Sequence, residues 1–272
     1  MTNHVLMCEP VHYEIAYEIN PWMHRSNAVD TMEAAIQWEA LFEAIERIGV
    51  KIELVDQMRG VPDMTFTANA GIAAGKRFIP ANFRYEERQQ EEPHFIRWFR
   101  AAGYEIEAIH LPHYWEGEGD VLDGERCVFA GHRFRTENRA LDHLDELLGA
   151  EVVRLELTDP RFYHLDTCFC PLGAGRALWY PPAFSEQSQE VLSGHFPDLV
   201  GVPDPDALRF ACNALVVDDT VVLNAGCPAT VDALEERGFR CVEVPMDEFI
   251  KAGGSVKCLV LTLDSFAWAR NH

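Results

Sequence analysis

The sequence predicts one α/β domain over residues 1–272, built from a repeated strand–helix unit. Three observations carry this. Strand-like apolar runs alternate with helix-period segments at intervals of roughly fifty residues. No linker or low-complexity stretch interrupts them. The length of 272 residues lies within the range of a single large α/β domain.

Residues 4–8 (His-Val-Leu-Met-Cys) read as a first buried strand, ended by Glu9-Pro10. An irregular segment follows through Tyr17, Asn20, Pro21, Trp22 and Met23, with Asn20-Pro21 a turn signal and Trp22 an anchor to the core. From Val29 to Ile48, apolar residues recur with helical spacing (Met32, Ala35, Ile36, Trp38, Leu41, Phe42, Ile45, Ile48), and Gly49 caps the run. Lys51–Val55 is a short strand. In Val61–Ile72, Asp63 and Asn69 are six apart, so on an extended chain they face the same way. Lys76–Ile79 reads as a strand, Glu86–Ala102 as a helix capped by Gly103, and Tyr104–Leu111 as another strand. Glu116, Glu118 and Asp120 are interleaved with glycines at a strand-to-turn junction. Cys127–Ala130 is a strand, Asn138–Leu148 a helix and Val152–Leu157 a strand. Phe162–Cys170 alternates like a strand, which puts His164 and Asp166 on one face. Ala177–Tyr180 (strand) and Ser185–Leu192 (helix) follow. Phe210–Val217 and Thr220–Leu223 form a hairpin across Asp218-Asp219. Thr230–Arg237 is a helix, Cys241–Val244 a strand, and Met246–Lys251 a short helix. The run opened by Cys258 after Gly253-Gly254 reads as a buried strand with the cysteine at its mouth.

The formal net charge of −21 disfavours nucleic acid and anionic membrane as partners and attracts a small cationic molecule. No apolar run approaches membrane-spanning length. Eight scattered cysteines without a signal sequence predict a cytoplasmic protein with reduced thiols. His164, Cys168 and Cys170 offer a weak zinc-like spacing, and neither metal nor cofactor is expected. Cys168, Cys170, Cys212, Cys227 and Cys241 read as small buried hydrophobes. A homo-oligomer is compatible with the sequence, which does not fix the oligomeric state.

The chemistry lies in a combination. A cysteine follows a glycine pair, a His-x-Asp pair shares a strand face, and acids Asp63, Glu116 and Asp120 sit at loop–strand junctions. A thiolate with a histidine makes a covalent catalyst. Surrounding carboxylates clamp a planar cation with several N–H donors, and a guanidinium fits that description best. Either Cys258 is such a nucleophile, or it is a small hydrophobe at a strand end.

The motifs P-D-M-T-F-T-A-N-A-G (62–71), E-G-E-G-D-V-L (116–122), H-L-D-T (164–167) and G-G-S-V-K-C-L (253–259) resemble those of the guanidine-modifying pentein superfamily. It comprises arginine deiminases, dimethylarginine dimethylaminohydrolases and amidinotransferases, and the resemblance spans essentially the whole chain. It implies a pentein fold: a five-bladed, pseudo-symmetric α/β propeller of ββαβ units around a substrate channel. It also implies Cys258 as nucleophile, His164 as general acid/base, and Glu116 and Asp166 as guanidinium ligands. Asp63 falls where another guanidinium or channel-lining acid sits, and Asp120 is a further candidate for orienting the substrate. The motif around 116 has one residue more than the E-G-G-D of arginine deiminases, so Glu116 or Glu118 is the aligned acid, Glu116 being preferred. Arg135-Thr136 resembles the arginine that binds a substrate carboxylate, and Arg88, followed by Glu91, is a weaker match to a second. Asn20 and Asn69 are similar to asparagines of the arginine dihydrolases, which convert arginine to ornithine, ammonia and carbon dioxide. Asn69 would hold the ureido intermediate for a second attack. Mammalian dimethylarginine hydrolases carry two acids where this chain has Ala68-Asn69, so dimethylarginine fits less well. The alternatives left open are a deiminase or dimethylaminohydrolase giving citrulline, an amidinotransferase, a non-catalytic sensor of cationic amino acids, and a zinc hydrolase.

Overall fold

The computed structural model describes residues 2–107 and 113–266. Its strands fall into five three-stranded sheets. The first holds β1 (His4–Met7) and β2 (Lys51–Leu54), joined by helix α1 (Thr31–Arg47) and paired in parallel. The second holds β3 (Gly71–Ala74), β4 (Arg77–Pro80), α2 (Glu92–Ala101) and β5 (Glu105–Ile106). The third holds β6 (Val121–Asp123), β7 (Val128–His132), α3 (Ala140–Leu148) and β8 (Val152–Glu156). The fourth holds β9 (Phe169–Gly173), β10 (Arg176–Trp179), α4 (Glu186–His195) and β11 (Asp198–Gly201). The fifth holds β12 (Leu215–Val217), β13 (Thr220–Asn224), α5 (Pro228–Glu235) and β14 (Arg240–Val244). In each of the last four the first two strands form an antiparallel pair and the third returns parallel to the middle one. The first sheet obtains its missing antiparallel strand from the other end of the chain. There β15 (Leu261–Thr262) pairs with β1, Val5 opposite Thr262 and Leu6 opposite Leu261. The expected five-bladed ββαβ propeller is therefore present, closed by the segment that carries Cys258.

The crossover helices form because one face of each is apolar. In α1 that face is Ala34, Trp38, Leu41, Ala44 and Ile45, all buried, and Asp30 caps its start by accepting from the N–H of Met32 and Glu33 at 3.0 and 3.1 Å. A cap of this kind is worth about 1 kcal/mol.

Tight turns precede the strands that open the sheets. Thr67–Ala70 leads into β3, Gly117–Asp120 into β6, Leu165–Thr167 into β9 and Lys257–Leu259 towards β15, while residues 210–213 turn into β12 with Phe210 at φ +57°. The turns pack on one another so closely that two glycines are obligatory. A Cβ on Gly117 (φ +56°) would lie 2.7 Å from the Ala68 carbonyl oxygen, and one on Gly119 would lie 2.2 Å from Asn69 Nδ2.

These turns are where the chain departs from its sequence pattern. Residues 162–170 are not a strand: His164 is extended, Leu165–Thr167 is a 3₁₀ turn, and β9 begins at Phe169. Cys258 lies inside a 3₁₀ turn rather than at a strand mouth. Asp63 and Asn69 sit on two successive 3₁₀ turns, not on an extended segment. Residues 210–214 turn rather than pair, and the expected helix over 86–102 divides into Glu86–Gln89 and α2. The reason is common to all of them: a turn buried on every side is apolar at the same positions as a buried strand. Strand β11 carried no distinctive pattern. The strand expected over Tyr104–Leu111 is present as β5 at Glu105–Ile106, and its positions 108–111 lie outside the described residues. Among the described residues no helix is long and apolar enough to cross a membrane.

Replacing Gly117 with alanine is expected to destabilise the protein by about 3 kcal/mol, through the clash and the left-handed backbone together. Thermal denaturation should then show Tm lowered by about 6–12 °C. A Tm within about 1 °C of the wild type would contradict the close approach of the two turns.

Candidate active site

Each turn delivers a polar side chain to the same buried region. From Lys257–Leu259 comes Cys258, 3% exposed, whose thiol donates to Asp166 Oδ2 at 3.3 Å. Its backbone N–H donates to Asn213 Oδ1 at 3.1 Å, and Asn213 Nδ2 donates back to Sγ at 3.1 Å and to the Asp166 carbonyl at 3.1 Å. Asn213 thus fixes the cysteine from both ends. Sequence reasoning missed it because it stands inside an apolar run, 210–217, whose pattern is that of a strand. The one available signal was its place just ahead of a sheet's first strand, as with Asn69, Asp120 and Asp166.

His164 and Glu116 form a second group. His164 Nε2 lies 2.7 Å from Glu116 Oε2, which also accepts from Arg135 Nη1 at 2.9 Å, while Oε1 accepts from the Arg84 N–H at 3.2 Å. Burial works against ionisation of Glu116, but the Arg135 charge and the His164 hydrogen bond outweigh it and hold the carboxyl below its usual range. Burial pushes His164 down to about 4, against the pull of Glu116. An ionised carboxylate only accepts, so the neutral imidazole carries its proton on Nε2 and leaves Nδ1 as the basic nitrogen. Asp166 is pushed up to about 7 by burial, opposed by the Lys257 charge. Burial first, and Asp166 next, push the Cys258 thiol well above its usual value.

Asp63, Asn69 and Arg88 meet on the other side. Arg88 grips Glu91 with two bonds of 2.8 and 2.9 Å, donates to Asn69 Oδ1 at 2.7 Å and to the Asp63 carbonyl at 3.2 Å, and approaches Asp63 Oδ2 at 4.0 Å. Arg135 stacks between the rings of Tyr85 and Tyr163, at 4.7 and 4.5 Å, and donates to the Ile19 carbonyl at 3.1 Å. The segment carrying Asn20 forms a roof. Asn20 Oδ1 accepts from the N–H of Trp22 and Met23 at 2.9 and 3.2 Å, Nδ2 donates to the Ala252 carbonyl at 3.0 Å, and Trp22 Nε1 donates to the Arg161 carbonyl at 2.7 Å. Under it lies a cavity of about 10 Å³ bounded by Asp63, Asn69, Arg88, Arg135, Asn20 and Cys258. Both arginines, expected to reach a substrate carboxylate, are buried rather than solvated.

Two residues take other places. Asp120 does not face this cavity. Its Oδ2 accepts from Thr136 Oγ1 at 2.6 Å and its Oδ1 from the Leu165 N–H at 3.1 Å, so it ties the turn bearing His164 to the corner bearing Arg135. Its reading as a substrate ligand is corrected accordingly: both oxygens are engaged inside the fold. Glu118 points away from His164, accepting from Lys257 Nζ at 2.8 Å, the Thr262 N–H at 3.0 Å, Thr262 Oγ1 and Ser265 Oγ at 2.8 Å. It fastens the closing strand, and Glu116 alone of the two faces the histidine. The zinc alternative is not supported by the geometry: Cys168 Sγ turns to the Leu165 carbonyl at 3.5 Å and Cys170 Sγ to the Ala214 carbonyl at 3.7 Å. Among the described residues no group of three or more His, Cys, Asp or Glu side chains is placed to hold a metal. Cys241 is half-buried, not buried as expected.

A family model described as "N,N dimethylarginine dimethylhydrolase, eukaryotic" matches residues 16–264. The chain is 42% identical over 262 residues to a bifunctional arginine dihydrolase/ornithine cyclodeaminase, ArgZ, of Synechocystis sp., covering 94% of this chain and 37% of the relative. It therefore spans little more than a third of that relative's length. It is 41% identical over 262 residues to an N(G),N(G)-dimethylarginine dimethylaminohydrolase of Mycobacterium tuberculosis, covering 96% of this chain and 86% of the relative. Among solved structures, the N-terminal domain of ArgZ, an Asn-to-Ser variant covalently bound to a reaction intermediate, superposes with a TM-score of 0.92 at 40% identity, covering 96% of this chain and 97% of that one. By fold, by family model and by its relatives, the chain belongs to the dimethylarginine dimethylaminohydrolase family of the guanidine-modifying penteins.

Proposed function

We propose that this chain hydrolyses the guanidinium group of arginine through a covalent Cys258 adduct and carries the product on to ornithine, ammonia and carbon dioxide. The observation that carries this reading is the placement of Cys258 and Asn69 on the wall of one enclosed cavity with two buried arginines. The resemblance to an arginine dihydrolase domain over nearly its full length supports it. A second reading, hydrolysis of dimethylarginine to citrulline, is favoured by the Mycobacterium relative.

The roof over residues 17–23 must open for an amino acid to enter, because 10 Å³ holds no more than a water. Arg88 and Arg135 then take the substrate carboxylate, and the guanidinium lies among Asp166, Glu116 and Asp63. In the resting site Cys258 is a thiol bonded to Asp166. The arriving cation favours the thiolate: the thiol proton passes to the basic Nδ1 of His164, and the sulfur attacks the guanidinium carbon. His164 passes a proton to the departing nitrogen, so the C–N bond breaks as ammonia leaves and a C–S bond remains. It then draws a proton from water, which adds to that carbon and expels the thiolate, giving citrulline. Asn69 holds the ureido group for a second round that breaks the remaining C–N bonds. Overall, arginine, two waters and two protons give ornithine, two ammonium ions and carbon dioxide.

Incubated with arginine, the purified protein should release two ammonia per ornithine. Citrulline as the sole end product would reassign it as a deiminase, and turnover of dimethylarginine alone would favour the second reading. Asn69→Ser is expected to keep the first ammonia release and stop at citrulline, read by chromatography of the amino acids; ornithine at the wild-type rate would show that Asn69 does not hold the ureido group. Because burial and Asp166 raise the Cys258 thiol, its thiolate fraction grows with pH through the whole accessible range. Alkylation of Cys258 by iodoacetamide in the absence of substrate, followed by peptide mapping, should therefore keep accelerating beyond about pH 8.5, the usual thiol value. A plateau near neutrality would show a thiolate already formed.

A further inference from the structure

Behind the catalytic group lies a second, much larger cavity of about 540 Å³. Its wall is largely apolar, but the charged residues on it, Glu118, Glu125, Asp166 and Asp218 beside Lys257 and Arg176, are mostly acidic. It shares Asp166 with the active site: Oδ2 meets the Cys258 thiol at 3.3 Å, while the same residue lines the larger cavity. Asp166 is 1% exposed, and its other oxygen, Oδ1, has no hydrogen-bond partner among the described residues. A buried carboxylate oxygen without a donor is costly, and a cavity of this size and polarity supplies one when it holds water or a small cation. Lys257, next to the nucleophile, lines the same space and pairs there with Glu118 at 2.8 Å.

The reaction sets a requirement that the substrate mouth does not meet. On the reading proposed above, on which this inference rests, one ammonia must leave and a second water enter while the citrulline half-product stays bound. That half-product still occupies the entrance, its carboxylate on Arg88 and Arg135. The roof above it is latched by Asn20 to Ala252, Ile19 to Arg135 and Trp22 to Arg161. Opening the roof for ammonia would release citrulline as well.

We propose that the acidic cavity behind Asp166 is a binding site for ammonium and the exit by which ammonia, protonated as it leaves the Cys258-bound carbon, departs while the organic intermediate stays in place. His164 supplies the proton with which the nitrogen departs as ammonia. A further proton from water in the cavity, replenished from solvent, makes it ammonium, for which Asp166 Oδ1 and Glu118 are the first acceptors beyond the catalytic cysteine. Water for each hydrolytic step travels the same route inward.

Two substitutions narrow the cavity without touching the catalytic group: Leu122→Trp on β6 and Val216→Trp on β12, both on its wall. In each, inactivation of Cys258 by chloroacetamidine, which enters by the substrate mouth, is expected to keep its wild-type rate constant. Steady-state ammonia release from arginine should fall by about fivefold or more, as when product departure limits turnover, and the ratio of citrulline to ornithine should rise. Wild-type turnover and product ratio in a variant with wild-type Tm would overturn the exit route. A measurement independent of folding of the variants uses wild-type crystals soaked in thallium(I), an ion of ammonium's size and charge. Anomalous density beside Asp166 and Glu118 is expected, and none in the cavity would overturn the binding site. If wild-type protein released no ammonia from arginine, the proposed function would fail, and the thallium result would still decide on the cavity.

Discussion

Everything in this molecule depends on one constraint: turns leading into the five sheets bring their polar side chains together in a buried region. Most of them satisfy one another there, and Asp63 Oδ1, Asn69 Nδ2 and Asp166 Oδ1 are left without a partner among the described residues. A buried carboxylate or guanidinium is tolerated only with partners. Here Glu116 has His164, Arg135 and the Arg84 amide, Arg88 has Glu91, Asn69 and the Asp63 carbonyl, and Cys258 has Asp166 and both ends of Asn213. The catalytic candidates are thus held by the same bonds that make their burial bearable. Removing one partner leaves an uncompensated buried group.

The closure of the propeller places the nucleophile in the segment that returns to pair with β1. Strand β15 completes the sheet begun by β1, and Glu118 holds that strand through Thr262, Ser265 and Lys257. The two acids of the E-G-E-G-D segment therefore divide their tasks: Glu116 serves the imidazole, and Glu118 secures the turn on which the thiol is mounted. Asp120, third in the series, ties the His164 turn to the Arg135 corner. Such a division needs the backbone to turn tightly between acids, which the intervening glycines allow.

Much of this was legible in the sequence, and the rest was hidden for identifiable reasons. The crossover helices and most strands are readable because each has one apolar face, as in α1. Glu116, His164 and Cys258 are legible through their motifs. The local conformation at the site was not: 162–170 and 258–263 look like strands because a turn buried on all sides and a buried strand need the same apolar residues. Asn213 was invisible for a related cause, being one amide in an apolar run whose partner stands forty-five residues later. The division between Glu116 and Glu118 depends on which side of a four-residue helical turn faces His164, a property of the folded turn and not of its residue pattern. The sequence suggested an attraction for cations, but not that a second, larger cavity would lie against Asp166, the residue bonded to the Cys258 thiol.

The central claim is that the sulfur of residue 258 becomes bonded to the guanidinium carbon. It is tested most directly by acid-quenching the protein during turnover of arginine labelled with ¹⁴C at that carbon, digesting it, and locating the label. Label on the peptide containing Cys258, absent from Cys258→Ser, is the expected result. Ammonia release with no label on any peptide, or with label on another of the eight cysteines, would contradict it.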